Sequence, residues 1–132
     1  LGNMQNKGTV AILGASDNPE RYSNKAQKLL LEHGYQVLPV NPALKQIDSL
    51  KVYPNLSALK TAGEEGQGID TLTIYLGPKR SEALIQDIIT LNPKRVILNP
   101  GTESRALEDA LAANNIPFEK ACTLVLLKTG QF

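Results

Sequence analysis

A chain of 132 residues has the length of one domain, and 42% hydrophobic residues without any Trp predict a core of aliphatic side chains. The formal charge of +1 argues against a nucleic-acid or membrane-surface partner, because both usually require a basic face. The lone Cys122, the lack of an apolar run of roughly 18–20 residues and the lack of a signal-peptide pattern lead us to expect a cytoplasmic protein.

Short apolar runs rich in β-branched residues alternate with segments of helical periodicity, the pattern of βαβ units around a parallel sheet. Strands are expected at Thr9–Leu13, Tyr35–Val40, Asp70–Leu76, Arg95–Leu98 and Ile116–Glu119. A late extended segment is expected at Thr123–Leu127. Residues 1–7 are interpreted as a disordered N-terminal segment or a cloning remnant. The sequence therefore predicts one Rossmann-like, doubly wound α/β domain over residues 8–132, with a five-stranded parallel sheet.

Helices are expected between the strands, where apolar residues recur at helical spacing. Their apolar faces are expected at Ala26, Leu29 and Leu30, at Leu84, Ile85, Ile88 and Ile89, and at Leu107, Ala110 and Leu111. Ser23 or Asn24 is expected to cap the first of these helices. Between the second and third strands we expect a brief extension at Val52-Tyr53, a short helical turn at Ser57–Thr61 and a flexible loop at residues 63–68.

Ligands of open parallel sheets bind outside the carboxyl ends of the strands, near the point where the strand order reverses. This rule selects the loops at residues 14–23, 40–42, 76–79 and 99–102. In a Rossmann order, the last of these loops is expected to lie beside the first strand. We therefore expect the chemistry of the chain at this edge of the sheet.

The loop after the first strand has the features of an anion site. Gly14 allows a ligand to approach the main chain, and Ser16 adds a hydroxyl. The turn amides and the N-terminus of the following helix supply donors, while Arg21 and Lys25 supply positive charge. The alternative is a plain strand-to-helix turn in which Ser16 or Ser23 is only a cap.

The same loop departs from the dinucleotide fingerprint G-x-G-x-x-G, because Ser16 and Pro19 stand where the second and third glycines would be. The second strand ends in Asn41-Pro42, without the acidic residue that would bind the ribose of NAD. Asn41 has two interpretations, as a hydrogen-bonding partner of adenine or ribose and as part of a simple turn. Both departures weigh against a nicotinamide cofactor.

The fourth loop and the remaining candidates are less specific. Gly101 permits close approach of a pantetheine or a diphosphate, whereas Thr102 is equally well an N-cap of the next helix. His33 is interpreted as a solvated residue at a helix end and Cys122 as a buried, inert thiol. We find no metal-ligand spacing, no G-x-S-x-G elbow and no P-loop, so the sequence predicts neither a metal site nor a catalytic set.

The run from Val10 to Ser23 resembles the opening motif of small stand-alone CoA-binding proteins, a hydrophobic strand followed by G-A-S, P-x-R and a Ser. The resemblance continues through residues 37–42 and 52–56, reaches Asn99-Pro100-Gly101 and extends to Cys122, so it covers about residues 8–127. This family is similar to the CoA-binding domain of the succinyl-CoA synthetase alpha subunit. Many of its members carry Gln-Pro-Gly where this chain has Asn99-Pro100-Gly101.

The resemblance implies a Rossmann-like fold and coenzyme A as the cofactor. It implies that Gly14, Ala15 and Ser16 contact the CoA phosphates, with Arg21, Ser23 and Lys25 as polar and basic support. Asn41 and Pro42 would line the adenosine side, and the remaining rim would consist of Gly77, Pro78, Asn99, Pro100 and Gly101. The implied function is a non-catalytic CoA or acyl-CoA binding or regulatory module. The alternatives are the cofactor-binding subunit of a multi-chain acyl-CoA enzyme and an NAD(P)- or nucleotide-binding regulatory protein.

Overall fold

The computed structural model describes residues 7–61 and 68–132 of the chain. The N-terminal segment predicted at residues 1–7 therefore lies outside the described residues except for Lys7. The loop predicted at residues 63–68 likewise lies outside them except for Gly68.

Strands and helices alternate along the chain, as the periodicity indicates. The strands are β1 (Thr9–Leu13), β2 (Gln36–Val40), β3 (Gln46–Ile47), β4 (Leu50–Lys51), β5 (Thr71–Ile74), β6 (Arg95–Leu98) and β7 (Phe118–Lys120). The helices are α1 (Tyr22–Glu32), α2 (Pro78–Glu82), α3 (Ile85–Leu91), α4 (Arg105–Ala113) and α5 (Thr123–Lys128), with a 3-10 helix at Leu56–Thr61.

The main sheet has five strands in the order β2-β1-β5-β6-β7, and every pair is parallel. This confirms the predicted doubly wound α/β domain with a five-stranded parallel sheet. The expectation that the loop after β6 lies beside β1 is wrong, because β5 lies between those two strands. The chain leaves β1 toward β2 on one side and returns as β5 on the other. The strand order therefore reverses between β1 and β5, where a crevice opens.

Both faces of the sheet are covered by helices, which explains why β1 is a continuous apolar run. Val10 and Ile12 pack in one core cluster with residues of α1 and α5, such as Leu30 and Leu127. Ala11 and Leu13 point to the opposite face and pack in a second cluster with Ile88, Leu107 and other residues of α3 and α4. All five residues of β1 are buried, as expected for a central parallel strand.

A small antiparallel hairpin of β3 and β4 follows β2, and Tyr53 then forms an isolated parallel bridge with Val40. This bridge is the brief extension predicted at Val52-Tyr53. It holds the 3-10 helix close to the carboxyl end of β2.

The predicted extended segment at Thr123–Leu127 is wrong, since these residues form the helix α5. Apolar runs of this length do not distinguish a strand from a buried helix by periodicity. A long-range contact fixes the helix here, because Asn99 Oδ1 accepts the backbone N–H of Thr123 at 2.9 Å in its first turn. Leu127, one turn later, is buried against the sheet.

The caps of two helices also differ from expectation. Arg21, and not Ser23 or Asn24, occupies the N-cap of α1 and makes no side-chain cap bond. At α4 the N-cap is Ser104 and not Thr102, whose hydroxyl donates to the carbonyl of Asn99 at 2.8 Å. Local sequence offers several capping residues at each end, and packing of the buried loops selects among them.

Ser104→Ala is expected to lower the free energy of unfolding by about 2 kcal/mol. The Ser104 hydroxyl accepts the Leu107 N–H at 3.1 Å and donates to the Glu82 carboxylate at 2.7 Å, so the substitution removes a cap and a charge-assisted bond. Urea unfolding measures the loss. Ser57→Ala, which removes only an exposed bond to Asn55, is the matched control and should change little. Equal stability of the two variants would contradict the assignment of this cap.

Within the described residues, no helix is long and apolar enough to cross a membrane. The same residues contain no cluster of three or more His, Cys, Asp or Glu side chains that could hold a metal ion.

Candidate ligand-binding cleft

A cleft with a volume of about 1010 Å³ opens at the carboxyl edge of the sheet, where the strand order reverses. Loops after four neighbouring strands line it. They contribute residues 13–17 and 20–23 after β1, 40–44 and 54–56 after β2, 75–77 with Arg80, Ala83 and Leu84 after β5, and 100–102 after β6. The cleft thus lies where the topological rule for ligand sites in parallel sheets places it.

The cleft brings together most of the site residues predicted from the sequence. Those that line it are Gly14, Ala15, Ser16, Arg21, Ser23, Asn41, Pro42, Gly77, Pro100 and Gly101. Lys25, Pro78 and Asn99 do not line it. Lys25 is exposed on α1 with its ammonium 5.7 Å from the centre of the Tyr22 ring, and Pro78 is the first residue of α2.

Gly14 allows the close approach of β1 to β5. Its φ is +93°, and a Cβ placed on it would lie 3.0 Å from Leu76 Cδ2 and 3.1 Å from the carbonyl oxygen of Tyr75. The amides of Gly14 and Ala15 both donate to the Val40 carbonyl, at 3.2 Å and 3.1 Å. These two donors therefore hold the loop to β2, and the turn amides expected to bind an anion must lie elsewhere.

The free donors are found in the loop after β1 and at the N-terminus of α1. In the part of the chain that the structure describes, the amides of Ser16, Asp17, Tyr22 and Ser23 have no hydrogen-bond acceptor. Asn24, in the first turn of α1, donates through Nδ2 to the carbonyl of Ser16 at 2.9 Å and holds the loop against the helix. Because free amides and the helix dipole both favour negative charge, this corner is suited to an anion.

Arg21 adds a positive charge to this corner, and Arg80 adds a second one on the far side of the cleft. Both side chains line the cleft, and neither is within ion-pair distance of a carboxylate of the described residues. Arg80 is not among the site residues predicted from the sequence. The available signal is Pro78, four residues after the end of β5, since proline favours the first position of a helix and places Arg80 one half-turn later.

Asn41 is held within the protein. Its Nδ2 donates to the Ala15 carbonyl at 2.8 Å, and its Oδ1 accepts the amides of Ala43 at 2.7 Å and Leu44 at 3.2 Å. Of the two interpretations offered by the sequence, this geometry favours the turn. The side chain joins the loops after β1 and β2 and thereby shapes the cleft that it lines.

Asn99 is buried, with 2% of its surface exposed, and its side chain bonds to the ends of two neighbouring elements. Nδ2 donates to Thr73 Oγ1 at 2.7 Å and to the Ile74 carbonyl at 2.9 Å, while Oδ1 accepts the Thr123 amide. The next residues, Pro100 and Gly101, reach the cleft. Asn99 thus fixes the loop that carries them.

Tyr75 lies on the floor of the cleft with its hydroxyl turned inward. Burial raises the pKa of Tyr75 to about 12, and its hydroxyl has no hydrogen-bond partner among the described residues. The phenol is therefore neutral at physiological pH and brings no charge to the cleft.

Two other side chains singled out in the sequence lie outside the cleft lining. Cys122 is partly exposed at the N-cap of α5, so the expectation of a buried thiol is wrong. His33 is the C-cap residue of α1, at the opposite end of that helix from the cleft.

The fold and the cleft define a small Rossmann-like α/β domain with a group of free backbone amides at its topological switch point. The sequence pattern of the family described as the CoA binding domain matches residues 8–128. The chain therefore belongs to the CoA binding domain family.

Relatives of the chain share its fold over most of its length. A crystal structure of an uncharacterized protein superposes with a TM-score of 0.85 at 34% identity, covering 97% of this chain and 100% of the other. A Thermus thermophilus protein gives a TM-score of 0.81 at 28% identity, covering 95% and 90%. The uncharacterized protein YneT of Bacillus subtilis is 32% identical over 81 residues, which span 61% of this chain and 53%, about half, of YneT.

Proposed function

We propose that the cleft binds coenzyme A or an acyl-CoA and that the domain is a non-catalytic binding or regulatory module. The observation that carries this proposal is the set of free amides at the N-terminus of α1, flanked by Arg21, in a chain of the CoA binding domain family. A diphosphate is the part of CoA that suits such a corner. The cytoplasmic location and the lack of a nucleic-acid partner, both inferred from composition, belong to the same proposal.

The two arms of the cleft fit the two ends of CoA. One arm, beyond the loop after β2, is lined by apolar residues such as Pro42, Leu44 and Pro54 that suit a flat adenine ring. The other arm runs past Gly77 and Gly101, where a narrow pantetheine chain can pass close to the main chain. The total volume of about 1010 Å³ suits a large nucleotide ligand.

A nicotinamide cofactor is less well supported. No acidic side chain lies at the end of β2, and the side-chain amide of Asn41 is hydrogen-bonded to the backbone of Ala15 and Ala43. A role as the cofactor-binding subunit of a multi-chain acyl-CoA enzyme remains compatible with the same cleft, since a partner chain would then supply the chemistry.

A ligand panel tests the proposal. We expect CoA and acetyl-CoA to raise the thermal stability of the domain, by roughly 2.7 kcal/mol at 100 times the dissociation constant, and NAD, NADP and FMN to have little effect. ADP, which has the adenosine and diphosphate of CoA but no pantetheine, should bind more weakly than CoA. Stabilisation by NAD without stabilisation by CoA would overturn the proposal.

Arg21→Gln should weaken CoA binding about fivefold to tenfold, measured by calorimetry, because a charge-assisted contact to phosphate is lost. The effect should shrink as salt is added, since the contact is exposed. Arg105→Gln is the matched control, because Arg105 is an exposed arginine on α4 outside the cleft lining. Equal affinities of the two variants for CoA would place the phosphates elsewhere.

A further inference from the structure

The arm of the cleft farthest from β2 contains a cation, Arg80, that lies apart from the N-terminus of α1. This arm is lined by Gly77, Arg80, Ala83, Leu84, Pro100 and Thr102. Its apolar members suit a short hydrocarbon chain. Arg80 is the one cationic side chain that the described residues place in this arm.

Within the described residues, Arg80 makes no ion pair that would compete with a ligand carboxylate. None of the ion pairs found in the described ranges 7–61 and 68–132 involves Arg80. Glu82, two residues later, accepts the Ser104 hydroxyl at 2.7 Å, and Glu103 accepts the Gly101 amide at 2.9 Å. Both carboxylates thus hydrogen-bond to neutral groups and not to Arg80.

The position of Arg80 shows which part of a ligand reaches it. The anion corner lies at the N-terminus of α1, after β1, whereas Arg80 is on α2, after β5. A CoA molecule with its diphosphate at α1 and its adenosine toward β2 directs its sulfur toward α2. The group next to Arg80 is then the acyl group and not a phosphate, an inference that rests on the proposed binding of CoA.

We propose that this arm selects acyl-CoA molecules whose acyl group ends in a carboxylate, and that Arg80 is the residue that determines this specificity. A guanidinium binds a carboxylate through two parallel hydrogen bonds, which a neutral acyl group cannot accept. Ala83 and Leu84 contact the methylene groups between the sulfur and the carboxylate.

The test uses two thioethers of CoA that are stable in water and differ at the end of the chain, S-(2-carboxyethyl)-CoA and S-propyl-CoA. Calorimetry with the whole chain should show about tenfold tighter binding of the carboxyethyl compound. Arg80→Gln should abolish this preference, because it weakens the binding of the carboxyethyl compound more than the binding of S-propyl-CoA or of unmodified CoA, and Arg80→Glu should reverse it. Lys79→Gln is the matched control, because Lys79 is an exposed cation of the same helix that does not line the cleft, and it should keep the preference.

The outcomes separate this proposal from the proposed function. If CoA binds but the natural chain does not prefer the carboxyethyl compound, the specificity is wrong and CoA binding stands. If Arg80→Gln weakens CoA and both thioethers equally, Arg80 contacts a phosphate and the specificity is again wrong. If no CoA compound binds the natural chain, both proposals fail. Arg80 is exposed, so thermal unfolding should show that its variants keep the fold.

Discussion

Asn99→Ala is expected to lower the free energy of unfolding by about 3 kcal/mol, a large part of the stability of a domain of this size. The substitution leaves the buried amide of Thr123 and the carbonyl of Ile74 without their side-chain partner. Each buried polar group that loses its partner costs about 1–3 kcal/mol. Thr73 Oγ1 keeps its bond to Thr123 Oγ1 at 2.8 Å, which limits the total. Urea unfolding of the variant and the natural chain measures the difference.

Asn114→Ala is the matched control for this substitution. Asn114 makes one exposed hydrogen bond, from Nδ2 to the Ala110 carbonyl, and its loss should cost less than about 0.5 kcal/mol. If Asn99→Ala were as mild as Asn114→Ala, the buried bonds of Asn99 would not support the joining of β5, β6 and α5. Asn99→Ala should also weaken CoA binding indirectly, through the loop at Pro100.

The sequence predicts the architecture well because parallel strands buried on both faces leave a strong local signal. Val10 and Ile12 on one face of β1, and Ala11 and Leu13 on the other, all face helices, so the strand is apolar throughout. Alternation of such runs with helical spacing admits few arrangements other than a doubly wound sheet.

What the sequence does not predict depends on contacts between distant residues. The helix α5 begins where Asn99, 24 positions earlier, accepts the Thr123 amide, and no local pattern contains that contact. The side-by-side placement of β1 and β5 is likewise a property of strand order, which the spacing of apolar runs does not encode.

In the candidate site, too, some features follow from the local sequence and others depend on contacts between distant residues. Gly14 and Ser16 follow a buried strand directly, so their presence at the carboxyl edge of the sheet follows from the sequence. The sequence does not predict which amides remain free, because that depends on a distant residue. The carbonyl of Val40 accepts the hydrogen bonds of the Gly14 and Ala15 amides. Arg80 enters the cleft because β5 lies next to β1 in the sheet, whereas Pro78, two residues earlier, indicates only that Arg80 is in the first turn of a helix.

Gly14 has both a positive φ and a close contact at its Cβ position, whereas Gly101 has only a positive φ and Gly77 has neither. Its φ of +93° is unfavourable for any residue with a Cβ, and its α-carbon faces the main chain of Tyr75. Gly101 has a similar φ of +89°, but no atom lies within 4 Å of a Cβ built on it. Gly77 has a φ of −65° and also has free space around its Cβ position.

Alanine at these three positions should therefore give a graded series in urea unfolding. Gly77→Ala should be neutral or stabilise by up to about 1 kcal/mol, because alanine restricts the unfolded chain without straining the folded one. Gly101→Ala should cost about 1–2 kcal/mol from backbone strain alone. Gly14→Ala should cost about 3 kcal/mol or more, because the Tyr75 main chain cannot move away while its amide donates to the Leu13 carbonyl at 2.8 Å. A Gly14→Ala variant no less stable than Gly101→Ala would show that β1 and β5 separate easily and that their close approach does not fix the anion corner.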